Sequence, residues 1–364
     1  MTVSGKGYYL WKILNCEGGN VESIARLAQE AQLSHLLLKI ADGVNPYNYD
    51  RNVDLLPPLV QTLRKKGIQA WGWHYVYGDN PLSEARIAIQ RIEDLGLDGY
   101  VIDAEEQYKQ PGKDTAAKRF MRELRVSLPD FPIALSSYRY PSYHPQLPWS
   151  QFLEKCDINM PQVYWMFANN PGAQLNRCVR EFKGMSPARP IIPTGAAFSE
   201  HGWTPQPNEI TEFLRTAQEL NLTAVNFWEW STARSIPTVW KAIKDFEWPL
   251  PCPEKDITEK YIDALNSSSP EAVTALYTPA AVHITYSRTV QGPEAIKAWY
   301  QNLFTQLLPQ AKYTLTGFTG TGNSRHLTWT ATSPNGTVEN GNDTFGLIEA
   351  KIAYHYTFFT ISPI

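Results

Sequence analysis

No run of apolar residues in the sequence approaches the length of a membrane span, so nothing in it reads as a transmembrane helix. Net charge is small, −3, with acids and bases interspersed, which removes the electrostatic basis for nucleic acid or an anionic membrane as partner. Cysteine is scarce. Cys16, Cys156, Cys178 and Cys252 lie at no metal-ligand spacing, and reduced, partly buried thiols are expected. His35, His74, His144 and His201 form no ligand motif, so no metal or other cofactor is expected. The Gly-rich turn of a dinucleotide site is missing too, since "NCEGGNVES" has glycines without that spacing. The N-terminus "MTVSGKGYYLWKIL" lacks separate charged, apolar and cleavage regions. That implies an unexported, cytoplasmic chain by default, with another route of release left open.

Tryptophan, by contrast, is plentiful and unevenly placed. Ten of the twelve precede residue 250, and only Trp299 and Trp329 follow it. At 364 residues the chain also exceeds the size at which one core stops growing, so two domains are expected. The boundary falls at "EWPLPCPEKD", giving domains over 1–248 and 257–364 with a Pro-rich linker over 249–256.

From residue 7 to about 246, short apolar runs alternate with segments of helical period. Strand candidates are "GYYLWKIL", "HLLLKIA", "QAWGWHYV", "GYVIDA", "PIALSSY", "INMPQVY", "PIIPTGA" and "AVNFWEW". Eight strand-then-helix units in roughly 240 residues fit an α/β (β/α)8 TIM barrel, whose usual size is about 250. Chemistry is then expected where the strands end. Residues 257–364 read differently: helices "ITEKYIDALNSSSPEAVTALY" and "PEAIKAWYQNLFTQLL" come first, then alternating strands from "KYTLTGFTGTG" onward. This is a smaller α+β domain with its sheet wrapped over the helices.

The segment "GYVIDAEEQY" brings three carboxylates to the end of the fourth strand. Alternation puts Asp103 and Glu105 on one face, with Cα atoms roughly 6.6–6.8 Å apart, and Glu106 on the other. In a barrel the shared face is the interior, and the strand end opens at the mouth. Two acids so placed differ in pKa, one keeping its proton and the other ionised, which suits an acid and an anionic stabiliser for glycosidic cleavage. Tyr75, Tyr164, Trp165, Trp228 and Trp230 are candidate stacking platforms for sugar rings, and Gln162 and Asn226 candidate hydroxyl-binding groups.

"HLLLKIADG", "GWHYVYGDNPLSEA", "GYVIDAEE" and "NFWEWS" resemble, in order, the strand motifs of glycoside hydrolase family 25, the barrel lysozymes. The resemblance spans most of residues 7–246. It implies Glu105 as general acid, Asp103 as stabiliser of an oxocarbenium-like state or acetamido-derived intermediate, and a sugar site including Lys39, Asp42, His74, Tyr75, Tyr164 and Trp228. The first strand, "YLWKIL", has no acid where that family carries an Asp, and Glu229 is the only acid near the last strand. "LDGYVIDAEE" and "MPQVYW" are also similar to fourth- and sixth-strand motifs of family 18 chitinases. Both resemblances imply a 2-acetamido glycan, peptidoglycan-like or chitin-like, as substrate. The missing acid keeps open an inactive carbohydrate-binding or scaffold barrel.

"AVTALYTPAAVHITY", "QGPEAIKAWYQNL" and "ENGNDTFGLIEAKIAYHYTFFTI" resemble the SnoaL-like, nuclear-transport-factor-2-like superfamily over nearly all of 257–364. The resemblance implies a cone with one pocket, for which His283, Tyr286, Trp299, Trp329, Asn342 and Tyr356 are the candidates. It also implies a ligand-binding unit or one that makes a homodimer through its exposed sheet.

Overall fold

The computed structural model describes residues 3–248, 255–320 and 322–363. The chain divides into two compact units between residues 251 and 252. Most of the expected linker, residues 249–254 with Cys252, lies outside the described residues.

The first unit is a closed barrel of eight parallel strands: β1 (Gly5–Leu10), β2 (Leu33–Asp42), β3 (Gln69–Val76), β4 (Gly99–Ala104), β5 (Ile133–Tyr138), β6 (Ile158–Val163), β7 (Thr194–Ala196) and β8 (Ala224–Trp228). Each pairs with the next, and β1 closes the ring by pairing with both β2 and β8. Around it run α1 (Val21–Glu30), α2 (Leu56–Lys65), α3 (Pro81–Leu95), α4 (Lys113–Ser127), α5 (Trp149–Leu153), α6 (Pro171–Lys183), α7 (Pro207–Glu219), α8 (Trp230–Arg234) and α9 (Pro237–Asp245). β7 is shorter than "PIIPTGA" suggested, because Pro190 and Pro193 can donate nothing to a ladder.

Strand alternation sorts the side chains into two cores. Tyr9, Leu37, Trp71, Trp73, Val101, Ala134, Met160 and Ala224 fill the barrel interior, while Tyr8, Leu36, Leu38, Tyr100, Ile102, Leu135 and Phe227 pack under the helices. Burial on both faces is why these strands read as nearly continuous apolar runs. Two glycines make room for rings inside. A Cβ at Gly99 would meet the Trp71 ring at 2.5 Å, and one at Gly7 would meet His35 Nε2 at 2.2 Å. With its lower half filled by aromatic rings, the interior is left to open only at the strands' C-terminal ends.

The second unit runs α10 (Ile257–Asn266), α11 (Pro270–Thr274), β9 (Tyr277–Ile284), β10 (Thr289–Gln291), α12 (Pro293–Asn302), then β11 (Lys312–Thr319), β12 (Ser324–Ser333), β13 (Gly336–Ile348) and β14 (Lys351–Phe358). The six strands form one sheet in the order β10-β9-β14-β13-β12-β11. The helices do not simply precede the strands: β9 and β10 come between them, and β9 lies parallel to β14. Its "AVHI" segment joins the sheet at mid-chain, a long-range pairing that local periodicity does not register. Among the described residues no helix is long and apolar enough to cross a membrane.

Candidate active site

At the C-terminal mouth of the barrel is a cavity of about 600 Å3 lined by Trp11, Lys39, Trp73, Tyr75, Asp103, Glu105, Tyr138, Arg139, Tyr140, Tyr143, His144, Gln162, Tyr164, Met166 and Trp228. The only carboxylates on this wall are Asp103 and Glu105. Both follow Val101 on the inward parity of β4, so the strand that builds the core also delivers the acids. Asp103 is buried and Glu105 half-buried. Gln162, inward on β6, donates from Nε2 to Glu105 Oε1 at 2.8 Å and to Asp103 Oδ1 at 3.2 Å.

Burial, reinforced by the neighbouring charge of Glu105, raises the Asp103 carboxyl well above the usual carboxylate range, with Lys39 opposing. Two acids held by one amide cannot both ionise cheaply, so the pair holds its proton to a higher pH than a lone carboxylate would. In the unliganded protein that proton is drawn to Asp103. The sequence reading had placed it on Glu105 with Asp103 ionised; the deeper burial of Asp103 is the physical reason for the difference.

Aromatic rings make most of the remaining wall. Trp228 meets Trp73 edge-on at 5.3 Å and lies 6.0 Å from Trp11. Lys39 Nζ sits 4.8 Å from the Trp73 ring centre and 4.3 Å from that of Tyr47, and it donates to Asp42 Oδ2 at 2.6 Å. Opposite, Tyr138 stacks on His144 at 3.7 Å. Trp11, 43% exposed, and the half-buried Tyr164 stand at the wall and leave the cavity open.

Of the residues singled out from sequence, Asp103, Glu105, Lys39, Tyr75, Gln162, Tyr164 and Trp228 line this cavity. Four others do not. His74 faces outward between sheet and helices, bonded through Nδ1 to Tyr100 and through Nε2 to the Gly43 carbonyl, because strand parity gives the interior to Trp73 and Tyr75. Burial pushes its imidazole down to about 4. Asn226 is enclosed in the barrel, with its Oδ1 2.6 Å from His35 Nε2. Glu229 caps α8, accepting from Ser231 and Thr232. Asp42 holds Lys39 and accepts from Tyr77 instead of reaching the wall. Trp165 and Trp230, proposed as platforms, are packed in the outer core. The sequence reading missed Tyr138, Arg139, Tyr140, Tyr143 and His144 as wall residues. The density of rings and charge in "YRYPSYH", directly after β5, was the available signal.

The second unit has a buried polar cluster. Tyr277 bonds to His355 Nδ1 and to Tyr300, each at 2.6 Å, and Tyr300 bonds to Tyr261 at 3.1 Å. Asp343 accepts from Trp329 Nε1 at 2.9 Å and lies 3.4 Å from His355 Nε2. The His283 and His355 rings stack at 4.2 Å. His283, Trp299 and Trp329 are therefore interior as expected, but Tyr286 is 87% exposed, Tyr356 38% exposed, and Asn342 points away from the core. Asp343 takes the inward parity with Phe345 and Leu347, and Asn342 does not. On β14 an irregularity around Ala353 reverses the parity after Ile352, so His355 enters in place of Tyr356.

Cys16, Cys156 and Cys178 are free and buried. Among the described residues, no three His, Cys, Asp or Glu side chains are grouped so as to hold a metal ion.

Residues 258–355 match the family model described as a SnoaL-like domain, so the second unit is SnoaL-like. Similar solved structures include a SnoaL-like family protein from Agrobacterium tumefaciens str. C58, 22% identical, covering 29% of this chain and 94% of that one with a TM-score of 0.25. An NTF2-like protein of unknown function from Cytophaga hutchinsonii ATCC 33406 is 15% identical, covering 29% and 87% with a TM-score of 0.25. A de novo designed protein with a curved β-sheet is 13% identical, covering 29% and 82% with a TM-score of 0.26. No curated protein matches the chain.

Proposed function

We propose that the barrel is a glycoside hydrolase acting on a 2-acetamido glycan, with Glu105 as the proton donor and Asp103 as its partner. The observation that carries this reading is the pair Asp103 and Glu105, joined through Gln162 and, among the described residues, the only carboxylates on the wall of an open, ring-lined cavity. A retaining enzyme that uses its own nucleophile needs a second carboxyl about 5–5.5 Å away across the cleaved bond, and an inverting one needs about 6.5–9.5 Å for a water. Asp103 and Glu105, two residues apart on one strand and held by the same Gln162 amide nitrogen, stand side by side instead of on opposite sides of that bond.

The substrate must then supply the nucleophile, and a neighbouring 2-acetamido carbonyl oxygen is the group that can. Glu105 protonates the departing glycosidic oxygen as the acetamido oxygen closes on the anomeric carbon. Asp103, buried beside it, holds the acetamido N–H and balances the positive charge of the cyclic intermediate. Water then opens that intermediate, giving its proton back to Glu105. Binding of the acetamido N–H at Asp103 favours the ionised form there and leaves the shared proton on Glu105. Gln162, bridging both oxygens, keeps the pair in register. The Trp228, Trp73 and Tyr138 rings offer apolar faces for pyranose rings.

Glu105→Gln keeps the volume and deletes the transferable proton, so hydrolysis of chitin or peptidoglycan fragments is expected to fall by about 10²–10⁴-fold with little change in Tm. Undiminished turnover by that variant would refute the assignment. The competing reading, a barrel that binds glycan without cleaving it, is favoured by the lack of an acid on β1, whose inward residue is Tyr9. It predicts glycan binding by the unaltered chain with no product.

A further inference from the structure

The cavity does not end at the acid pair. Arg139, Tyr140 and Tyr143 line it and also line a second hollow of about 320 Å3, which adds Asn170, Gln174 and Arg177. Arg139 therefore stands where the cavity of Asp103 and Glu105 adjoins the hollow of Arg177. The two guanidinium groups are not equivalent.

Arg177 is fully engaged. It donates to Glu181 and to the Tyr143 hydroxyl at 2.8 Å each, and its guanidinium lies 4.0 Å from the Tyr140 ring centre and 4.5 Å from that of Tyr143. Glu181 is itself fixed by the Ser142 backbone N–H and hydroxyl, so this charge is neutralised where it stands. Arg139 has no such partner. Its guanidinium, 5.1 Å from the Tyr140 ring centre, donates to the neutral Tyr164 carbonyl, and no carboxylate among the described residues lies within ion-pair distance of it. It is half-buried, so it gives up hydration without gaining a counter-charge. A guanidinium carries five N–H donors in a planar fork matched to a carboxylate.

We propose that Arg139, backed by the Tyr140 ring, is a subsite for a carboxylate carried by the glycan on a sugar unit next to the cleaved linkage. The inference rests on the glycosidase reading for its placement beside the cleaved linkage, though not for the binding itself. One uncompensated cation matches one carboxylate. The same wall carries Asp103 and Glu105, which repel an anion placed near them, so a carboxylated glycan is held in the register that keeps its acid group at Arg139. Two glycan chemistries supply such a group, a lactyl ether on an amino sugar and a uronic acid alternating with one.

The test measures binding by calorimetry to the full Glu105→Gln chain, so that bound glycan stays intact. The probes are a lactyl-bearing 2-acetamido tetrasaccharide, a uronate-bearing one, and the methylamide of each. At least one acid form is expected to bind about tenfold tighter than its amide, with the preference shrinking as salt rises. Which pair shows the preference identifies the source of the carboxylate. Adding Arg139→Gln should bring the ratio to within about twofold while leaving amide binding within about twofold, which also verifies folding; Arg139→Lys should keep part of it. Equal binding of acid and amide in both pairs, or a preference that survives Arg139→Gln, overturns the subsite, as does failure of all four to bind. Cleavage by the unaltered chain separates the two claims. Acid and amide cleaved with equal kcat/KM would refute the subsite and keep the hydrolase, whereas an Arg139-dependent preference without cleavage would refute the hydrolase and keep the subsite.

Discussion

Gln162 donates from Nε2 to Glu105 Oε1 at 2.8 Å, across the barrel mouth from β6 to β4. A donated hydrogen bond favours the ionised acceptor, so this amide lowers the pH at which the pair gives up its proton. Gln162→Leu should remove that effect and loosen the pair. The alkaline limb of the pH profile of kcat/KM, where the pair gives up that proton, is expected to move upward, and kcat to fall by roughly ten- to a hundredfold. A full pH profile of both proteins checks this, and unchanged limbs would count against the bridge.

Asp103 carries a stability prediction with a definite sign. Its pKa is raised in the folded protein by burial and by Glu105. The folded state therefore binds the proton more tightly than the unfolded chain, and the stabilisation is complete below the ordinary carboxylate value and lost as pH rises through the raised one. Asp103→Asn removes the titration. The variant should lose turnover yet lose less Tm than the unaltered protein between pH 5 and pH 8, as thermal melts at those two pH values would read.

His74 acts in the opposite direction. Burial lowers its imidazole from the ordinary 6.5 to about 4, and His35 is lowered to about 4 by burial in the same way. The unfolded chain gains protons first on acidification, so stability present above pH 6.5 is lost as pH falls toward 4, by roughly 3 kcal/mol per histidine. Replacing His74 with Gln should cost about 1–2 kcal/mol at pH 7 by weakening its bonds to Tyr100 and Gly43, and should remove roughly half of the acid slope contributed by the two. Urea unfolding at pH 7, 5.5 and 4.5 measures both effects.

Gly99 sets a packing prediction. A Cβ there would lie 2.5 Å from the Trp71 ring, which is locked in the barrel interior. Gly99→Ala should destabilise by about 1–3 kcal/mol through overpacking, read as a fall in the denaturation midpoint. A variant as stable as the parent would mean that Trp71 can move aside.

The eight-strand alternation of the barrel and the shared inward face of Asp103 and Glu105 were legible along the chain, because each follows from a period that neighbouring residues impose on one another. Failures occurred where periodicity met an irregularity or a choice between faces. His74 and Trp73 are adjacent, and only closure of the ring decided which one enters the interior. Asn342 and Asp343 posed the same choice in the second unit, and the irregularity at Ala353 exchanged Tyr356 for His355. β9 was hidden because its partner, β14, is some seventy residues away.

The sequence by itself determined how many strands the barrel has, which acids share a face and where along each barrel strand the polar groups begin, since these depend on covalent order and local backbone geometry. Tertiary structure alone decided that Asp103 is the more deeply buried of the pair, that Gln162 reaches both carboxylates, and that Arg139 stands on the cavity wall without a counter-charge. Burial and electrostatic pairing are properties of distances through space, and residues dozens of positions apart along the chain acquire those distances only when the ring of strands closes.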